Sequence, residues 1–258
     1  MRGKDNMSKF VLIGGGENGR KGTEYETEKI DREIIKLTDK NNNINFLFLA
    51  HGNNYENSYY EIMKKIYTEK FNCNCDILTK KEVQENEITQ KKVEWADIIY
   101  VGGGNTLEMM QLWKKSGFDK ILKSFLLKEK VFCGISAGAI CWCKYGISDS
   151  KKNSENDEYI IVKGLDIFNI LFCPSYDERM KSEENLERLM KDVRMSMIAL
   201  EKGTAIVIND GKYKIIQSIK DKKVYKCFYK KENKYKLEVP IEDYKTLKEL
   251  IETNEEIN

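Results

Sequence analysis

Histidine is almost missing from this chain. Its 258 residues include one, His51. Chemistry that needs an imidazole near neutral pH rests on that side chain or does without one. Proline is nearly as scarce, with two in the chain, and no Pro/Ser-rich linker, low-complexity segment or internal repeat is visible. Long apolar runs are also lacking. The longest uncharged, apolar-rich run, Val131–Cys143, has 13 residues, and a membrane helix needs about 20. Neither sign of charge dominates. Lys and Arg total 44 against 42 Asp and Glu, a net +2, which gives no global field to draw in nucleic acid or a membrane surface. Residues Met1–Ser8 include Arg2 and Lys4 but no apolar core, so no secretory signal is read there. The seven cysteines are odd in number. Cys73/Cys75 and Cys141/Cys143 are spaced CxC, whereas zinc sites usually show CxxC. The expectation is reduced thiols in the cytoplasm, with neither metal nor organic cofactor.

What is present is an alternation of buried strands and amphipathic helices. Phe10–Ile13, Asn45–Ala50, Cys75–Leu78, Asp97–Val101 and Val131–Ile135 read as strands. Between them, Ile30, Ile34 and Leu37 (in a helix expected over Tyr25–Asp39), Tyr59, Ile62, Met63, Ile66 and Tyr67, and Leu107, Met110 and Trp113 recur at helical spacing. Apolar runs without alternation, separated by helices, predict a largely parallel central sheet with helices on both faces. The last third predicts a strand at Ile170–Cys173 and a helix at Ser182–Met197. A hairpin of Thr204–Asn209 and Lys212–Ile219 turns at Asp210-Gly211, and a β-meander continues through Val224–Tyr229 and Tyr235–Val239. A helix at Ile241–Glu252 is expected to close the chain. Residues 1–7 are expected as a disordered tail and 8–258 as a single α/β domain.

Ligand sites of such sheets lie beyond the carboxyl ends of the strands. Gly134-Ile135-Ser136-Ala137-Gly138 falls there, between a strand and a helical stretch. This is the pattern of a nucleophile elbow, with Ser136 as nucleophile and the Ala137 amide as an oxyanion donor. Read blandly, it is a glycine-flanked turn. Gly102-Gly103-Gly104-Asn105-Thr106 follows another strand, and its bare amides suit an anion, with Gly104 the candidate second donor. Gly14-x-Gly16-x-x-Gly19 matches the dinucleotide pattern but lacks its context: the second strand ends in Ala50-His51 where an acid is expected. His51 stands at the functional edge, where a lone histidine is most often a polar loop residue. Residues 212–236 hold ten lysines against Asp221 and Glu232, interleaved with tyrosines. A nucleic-acid patch or the wet face of a hairpin both fit this pattern, and the hairpin is the simpler reading.

With these elements placed, the chain resembles peptidase E, the serine dipeptidase family that includes aspartyl dipeptidases and, more distantly, cyanophycinases. The resemblance runs from about Lys9 to Ser218 and is carried by VGGGNT at 101–106, GISAGA at 134–139 and FCPSYDE at 172–178. It implies a fold similar to class I glutamine amidotransferases, which carry cysteine where Ser136 stands. It also implies hydrolysis of short peptides, aspartyl dipeptides among them, through a Ser136 acyl-enzyme, with Gly104 and Ala137 as the oxyanion hole. The family's histidine lies in a segment like Cys-Pro-His-Tyr; here Cys173-Pro174-Ser175-Tyr176 puts serine in its place. The family's acid lies in a segment like Pro-Glu-Gly. Here Glu201-Lys202-Gly203 puts lysine there and Glu201 one residue away, and a shift of one reverses the face of a strand. A serine hydroxyl without a base is a poor nucleophile. Three readings remain: a member that binds peptides without cleaving them, His51 as a substitute base, or Lys202 as base, which would need a depressed pKa. Asn105 and Arg179 are the substrate-binding candidates, Arg179 as the cation for an acidic side chain. The implied partner is a short peptide, not nucleic acid or a membrane, and a homodimer stays open.

Overall fold

The computed structural model describes residues 8–153, 158–179, 183–231, 233–241 and 243–252. The expected tail at 1–7 lies outside the described residues, as do Ser182 and Glu232. Through the first half, strand and helix alternate: β1 (Lys9–Ile13), α1 (Glu28–Leu37), β2 (Asn45–Leu49), α2 (Glu56–Phe71), β3 (Asn74–Ile77), a 3-10 turn at Glu82–Gln84, α3 (Asn86–Trp95), β4 (Ile98–Val101), α4 (Thr106–Ser116), α5 (Phe118–Ser124), β5 (Val131–Ile135) and the short α6 (Ala137–Ile140). The second half is strand-rich: β6 (Cys143–Ser148), β7 (Ile160–Lys163), β8 (Phe168–Cys173), α7 (Tyr176–Arg179), α8 (Glu183–Val193), β9 (Met197–Leu200), β10 (Thr204–Asn209), β11 (Lys212–Gln217), β12 (Val224–Lys230), β13 (Asn233–Glu238), β14 (Lys245–Thr246) and α9 (Leu247–Ile251).

The first sheet has the order β14-β11-β10-β1-β5-β4-β2-β3. Its five strands from β1 to β3 are parallel, and β10, β11 and β14 extend it antiparallel. Val11, Leu12, Ile13, Phe46, Leu47 and Phe48 are fully buried, because alternate residues face two different cores. Val11 and Ile13 meet Ile30, Ile34 and Tyr67 of α1 and α2. Leu12 and Phe10 meet Trp113 of α4 on the other face, together with Phe172 and Ile198 of the second sheet. Each such side chain contributes about 1.5–3 kcal/mol by leaving water. That explains runs without polar alternation.

The second sheet, β13-β12-β9-β8-β6-β7, was not expected as a separate layer. Strands β6, β7 and β9 had no expectation attached. Its far face is covered by α8, whose Leu186, Leu189 and Met190 pack on Ile147, Leu171 and Met197. The meander expectation is corrected. After β11 the chain turns at Ile219–Lys223 and crosses sheets, so β12 pairs with β9, Val224 opposite Leu200. The helix expected to reach Met197 stops at Val193, where Arg194 takes a positive φ of 50°, and Met197 instead pairs with Leu171 and Cys227. The closing helix is likewise reduced: Lys245–Thr246 pair with β11 first, leaving one short helix, Leu247–Ile251. The first helix starts at Glu28, so Tyr25 and Thr27 belong to the loop before it.

The lysine-rich stretch is laced to acids. Lys214 pairs with Glu33 at 2.6 Å, Lys222 with Asp177 at 2.5 Å, Lys223 with Glu238 at 2.6 Å, and Lys234 with Glu183 and Glu187 at 2.6 and 2.7 Å. This fits the wet face of two hairpins. All seven cysteines are free thiols, and among the described residues no helix is long and apolar enough to cross a membrane.

Candidate active site

Strand β1 ends in Gly14-Gly15-Gly16, and this loop ties three turns together. The Ser136 amide donates to the Ile13 carbonyl at 3.0 Å, the Ser175 amide to Gly14 at 2.9 Å and the Gly203 amide to Gly15 at 2.9 Å. Glycine is needed for the close approach: a Cβ on Gly15 would stand 2.8 Å from Ser175 Oγ and 3.2 Å from Lys202 Cγ. The pattern that resembled a dinucleotide loop is therefore a structural hub, and the helix that a dinucleotide would need begins only at Glu28.

Ser136 joins β5 to α6 with φ 53° and ψ −112°, a backbone conformation that costs a non-glycine residue roughly 1–3 kcal/mol. The flanking glycines make it fit. A Cβ on Gly134 would come within 2.2 Å of the Gly138 carbonyl oxygen, and one on Gly138 within 2.0 Å of Val101 O. Ser136 lines a cavity of about 310 Å³ with Gly103, Ser175, Arg179, Lys202 and Glu178 among its walls. The strand-end expectation thus brings Ser136, Ser175 and Arg179 together.

Other expected residues are placed differently. Gly103 packs beside the serine, a Cβ there lying 3.8 Å from Ser136 Cβ, and its amide faces the Tyr59 hydroxyl, while a Cβ on Gly104 (φ +146°) would press against Gly52. Asn105 does not line the cavity. It caps α4, accepting from the Glu108 amide at 3.1 Å and donating to the Ser150 carbonyl at 3.3 Å. Glu201 turns away, its carboxylate accepting from the Lys223 amide at 3.0 Å. His51 is buried with both ring nitrogens engaged, Nδ1 by Trp113 and Nε2 by the Leu78 carbonyl, so it is no base for Ser136. Lys202 does reach the cavity, but its ammonium pairs with Glu178 at 2.5 Å. That hydrogen bond raises its pKa against the opposing effect of burial. A lysine base needs the opposite shift.

Ser175 sits at φ 47° and donates its hydroxyl to the Gly14 carbonyl at 3.3 Å. Arg179 is 5% exposed. It donates to the Ile147 carbonyl at 2.8 Å, lies 3.9 Å from Asp149 and stacks 4.6 Å over the Tyr159 ring. Among the residues missed by sequence reasoning are Glu17, Tyr59, Asp149 and Tyr159. Tyr59 was read only as the core face of a helix. Its ring packs edge-on against Phe48 at 4.9 Å and reaches the cavity. Burial pushes its hydroxyl up to about 12, with the Gly103 amide opposing. Asp149 and Tyr159 follow β6 and precede β7, two strands without a sequence signal.

This is the geometry of an α/β fold that presents a strained serine at a strand–helix turn. The family model for peptidase family S51 matches residues 10–216. An uncharacterised peptidase of Bacillus subtilis strain 168, YgaJ, is 28% identical over 240 residues, covering 91% of this chain and 98% of that protein. The crystal structure of a peptidase from an acI-B1 actinobacterium superposes with a TM-score of 0.72 at 14% identity, over 94% of this chain and 98% of that one. A putative peptidase E protein from Listeria monocytogenes EGD-e superposes with a TM-score of 0.62 at 17% identity, over 82% and 98%. The chain belongs to peptidase family S51, and the expected class, a serine-type peptidase, stands with it.

Proposed function

We propose that residues 8–258 form one domain that hydrolyses short peptides in the cytoplasm by acyl transfer through Ser136. The observation that carries this reading is the Ser136 backbone, held at φ 53° and ψ −112° on the wall of a cavity; strain of this kind clusters at active sites. In this reading the scissile carbonyl sits at Ser136 Oγ, with the amides of Gly104 and Ala137 as oxyanion donors. Arg179 gives the cavity a cation suited to an acidic side chain, aspartyl dipeptides among them. With Ser175 where the resemblance puts histidine, water relays the Ser136 proton to the amine nitrogen as the Oγ–C bond forms and the C–N bond breaks, and a further water then hydrolyses the acyl-enzyme. Turnover is then slow, at the level left when a triad loses a member, roughly 10³–10⁴-fold over the uncatalysed reaction.

The test is mass-spectrometric detection of products from a panel of aspartyl and neutral dipeptides, with wild type and Ser136→Ala side by side. Turnover by wild type that vanishes in Ser136→Ala supports the reading. Equal turnover by both sinks it. The second reading is a member that binds peptides without cleaving them. One observation favours it: where the resemblance puts histidine stands a hydroxyl that donates to the Gly14 carbonyl, and a neutral hydroxyl is far too weak a base to replace imidazole near pH 7. Peptide binding with no product from wild type selects that alternative.

A further inference from the structure

The space beside Ser136 continues past Tyr59. A second cavity, of about 400 Å³, opens on the other side of that ring, and Gly16, Glu17, Tyr59 and Gly103 line both. A peptide with its carbonyl at Ser136 has two directions to run. One leads toward Arg179 and Lys202; the other passes Gly103 and Tyr59 into the second cavity. A dipeptide has one residue on each side of its single bond. The second cavity alone is as large as a whole small-ligand pocket, roughly 300–1,000 Å³, so one residue leaves most of it empty.

The lining fits a peptide rather than a charged metabolite. Arg20 is the one cation among the described residues that line it, and Glu17 holds it at two points, 3.0 and 3.1 Å apart. That pair cancels the charge and leaves amides and a hydroxyl, from Asn18, Asn53 and Ser58, as the polar walls. Tyr55 stands on the rim, 78% exposed, with its amide fixed by Asn53 Oδ1 at 2.7 Å. A rigid aromatic ring left in water at the edge of a cavity supplies large contact area at low entropic cost.

We infer that this chain accepts peptides longer than a dipeptide, with the residues on one side of the scissile bond running past Tyr59 into the cavity bounded by Tyr55 and Ser58. The inference rests on the reading of Ser136 as the point of attack. It makes Tyr55 and Ser58 determinants of substrate length rather than of charge.

Isothermal titration of the Ser136→Ala protein with unlabelled peptides of two to six residues tests this without relying on turnover. Affinity rises at least tenfold from dipeptide to tetrapeptide. Ser58→Trp, which fills the second cavity from an exposed helix position, returns the tetrapeptide to the dipeptide value, and Tyr55→Ala removes part of the gain. Thermal melts equal to the parent's show that both variants fold. Equal affinity at every length overturns the inference and leaves the Ser136 reading intact. Length-dependent binding that Ser58→Trp does not weaken also overturns it, because the extra residues then lie elsewhere. No binding at any length overturns both.

Discussion

Trp113 donates its indole N–H to Nδ1 of His51 at 2.8 Å, and Nε2 on the other side of the ring donates to the Leu78 carbonyl at 2.7 Å. Both contacts are buried, and Phe118 packs edge-on against the same ring at 5.8 Å. The one histidine therefore braces α4 and α5 against the end of β2. It is a neutral, fully satisfied core group with no free nitrogen to offer a substrate.

His51→Ala is expected to unfold more easily, by about 2–4 kcal/mol, from the lost ring and the orphaned Trp113 and Leu78 groups. Urea melts measure this. A variant that keeps wild-type stability and loses only turnover would return His51 to the catalytic candidates.

Burial holds the His51 imidazole low, at about 4 against an ordinary 6.5. The unfolded chain then binds the extra proton between those values. Stability from this site is complete above about pH 6.5 and is lost as pH falls toward 4. His51→Gln removes that component, which a comparison of melting midpoints at pH 7 and pH 5 reads directly.

Asp31 works in the opposite direction. Its buried carboxylate accepts from Tyr25 at 2.9 Å, Thr27 at 2.8 Å and Tyr67 at 2.8 Å. Burial nevertheless lifts it to about 6, with the hydroxyls only partly offsetting. Here the folded state binds more protons, so stability from this group falls as pH rises from about 4 to 6. Asp31→Asn flattens that slope. It also loosens the loop carrying Tyr25 and Thr27, seen as faster hydrogen exchange over residues 17–27. An unchanged slope and unchanged exchange would refute the assignment.

Ser175→His restores an imidazole beside the Gly14–Gly16 loop. With Ser136 in place, turnover of a dipeptide is expected to rise about tenfold or more, short of the 10²–10⁴ of a full general base, because Glu201 faces Lys223 and cannot orient the ring. The steady-state rate of the variant, with and without Ser136→Ala, decides it. No gain in a folded variant would mean that position 175 does not address Ser136.

Gly138→Ala places a Cβ 2.0 Å from the Val101 carbonyl oxygen and 3.0 Å from that of Gly102, and both are backbone atoms that cannot swing aside. A loss of about 3 kcal/mol or more is expected, measured by chemical denaturation. Stability within 1 kcal/mol of wild type would show that the elbow is looser than its contacts imply.

By itself, the sequence determined the parallel half of the fold and the strand–helix turn at Ser136. Those features are local: Val131–Ile135 is apolar without alternation because both its faces are buried, and Gly134 and Gly138 are small because backbone passes within reach of each. The partners of the serine were decided only by tertiary structure. Ser175, Arg179 and Lys202 reach its cavity from separate segments that the Gly14–Gly16 loop gathers. One residue of chain direction sent Glu201 to Lys223 and Lys202 to Glu178. Nothing in the pattern of Val224–Lys230 says whether it joins β11 or β9, since a half-buried strand suits either sheet. A free histidine and a buried one are likewise the same letter until Trp113 is brought against it across 62 residues of chain.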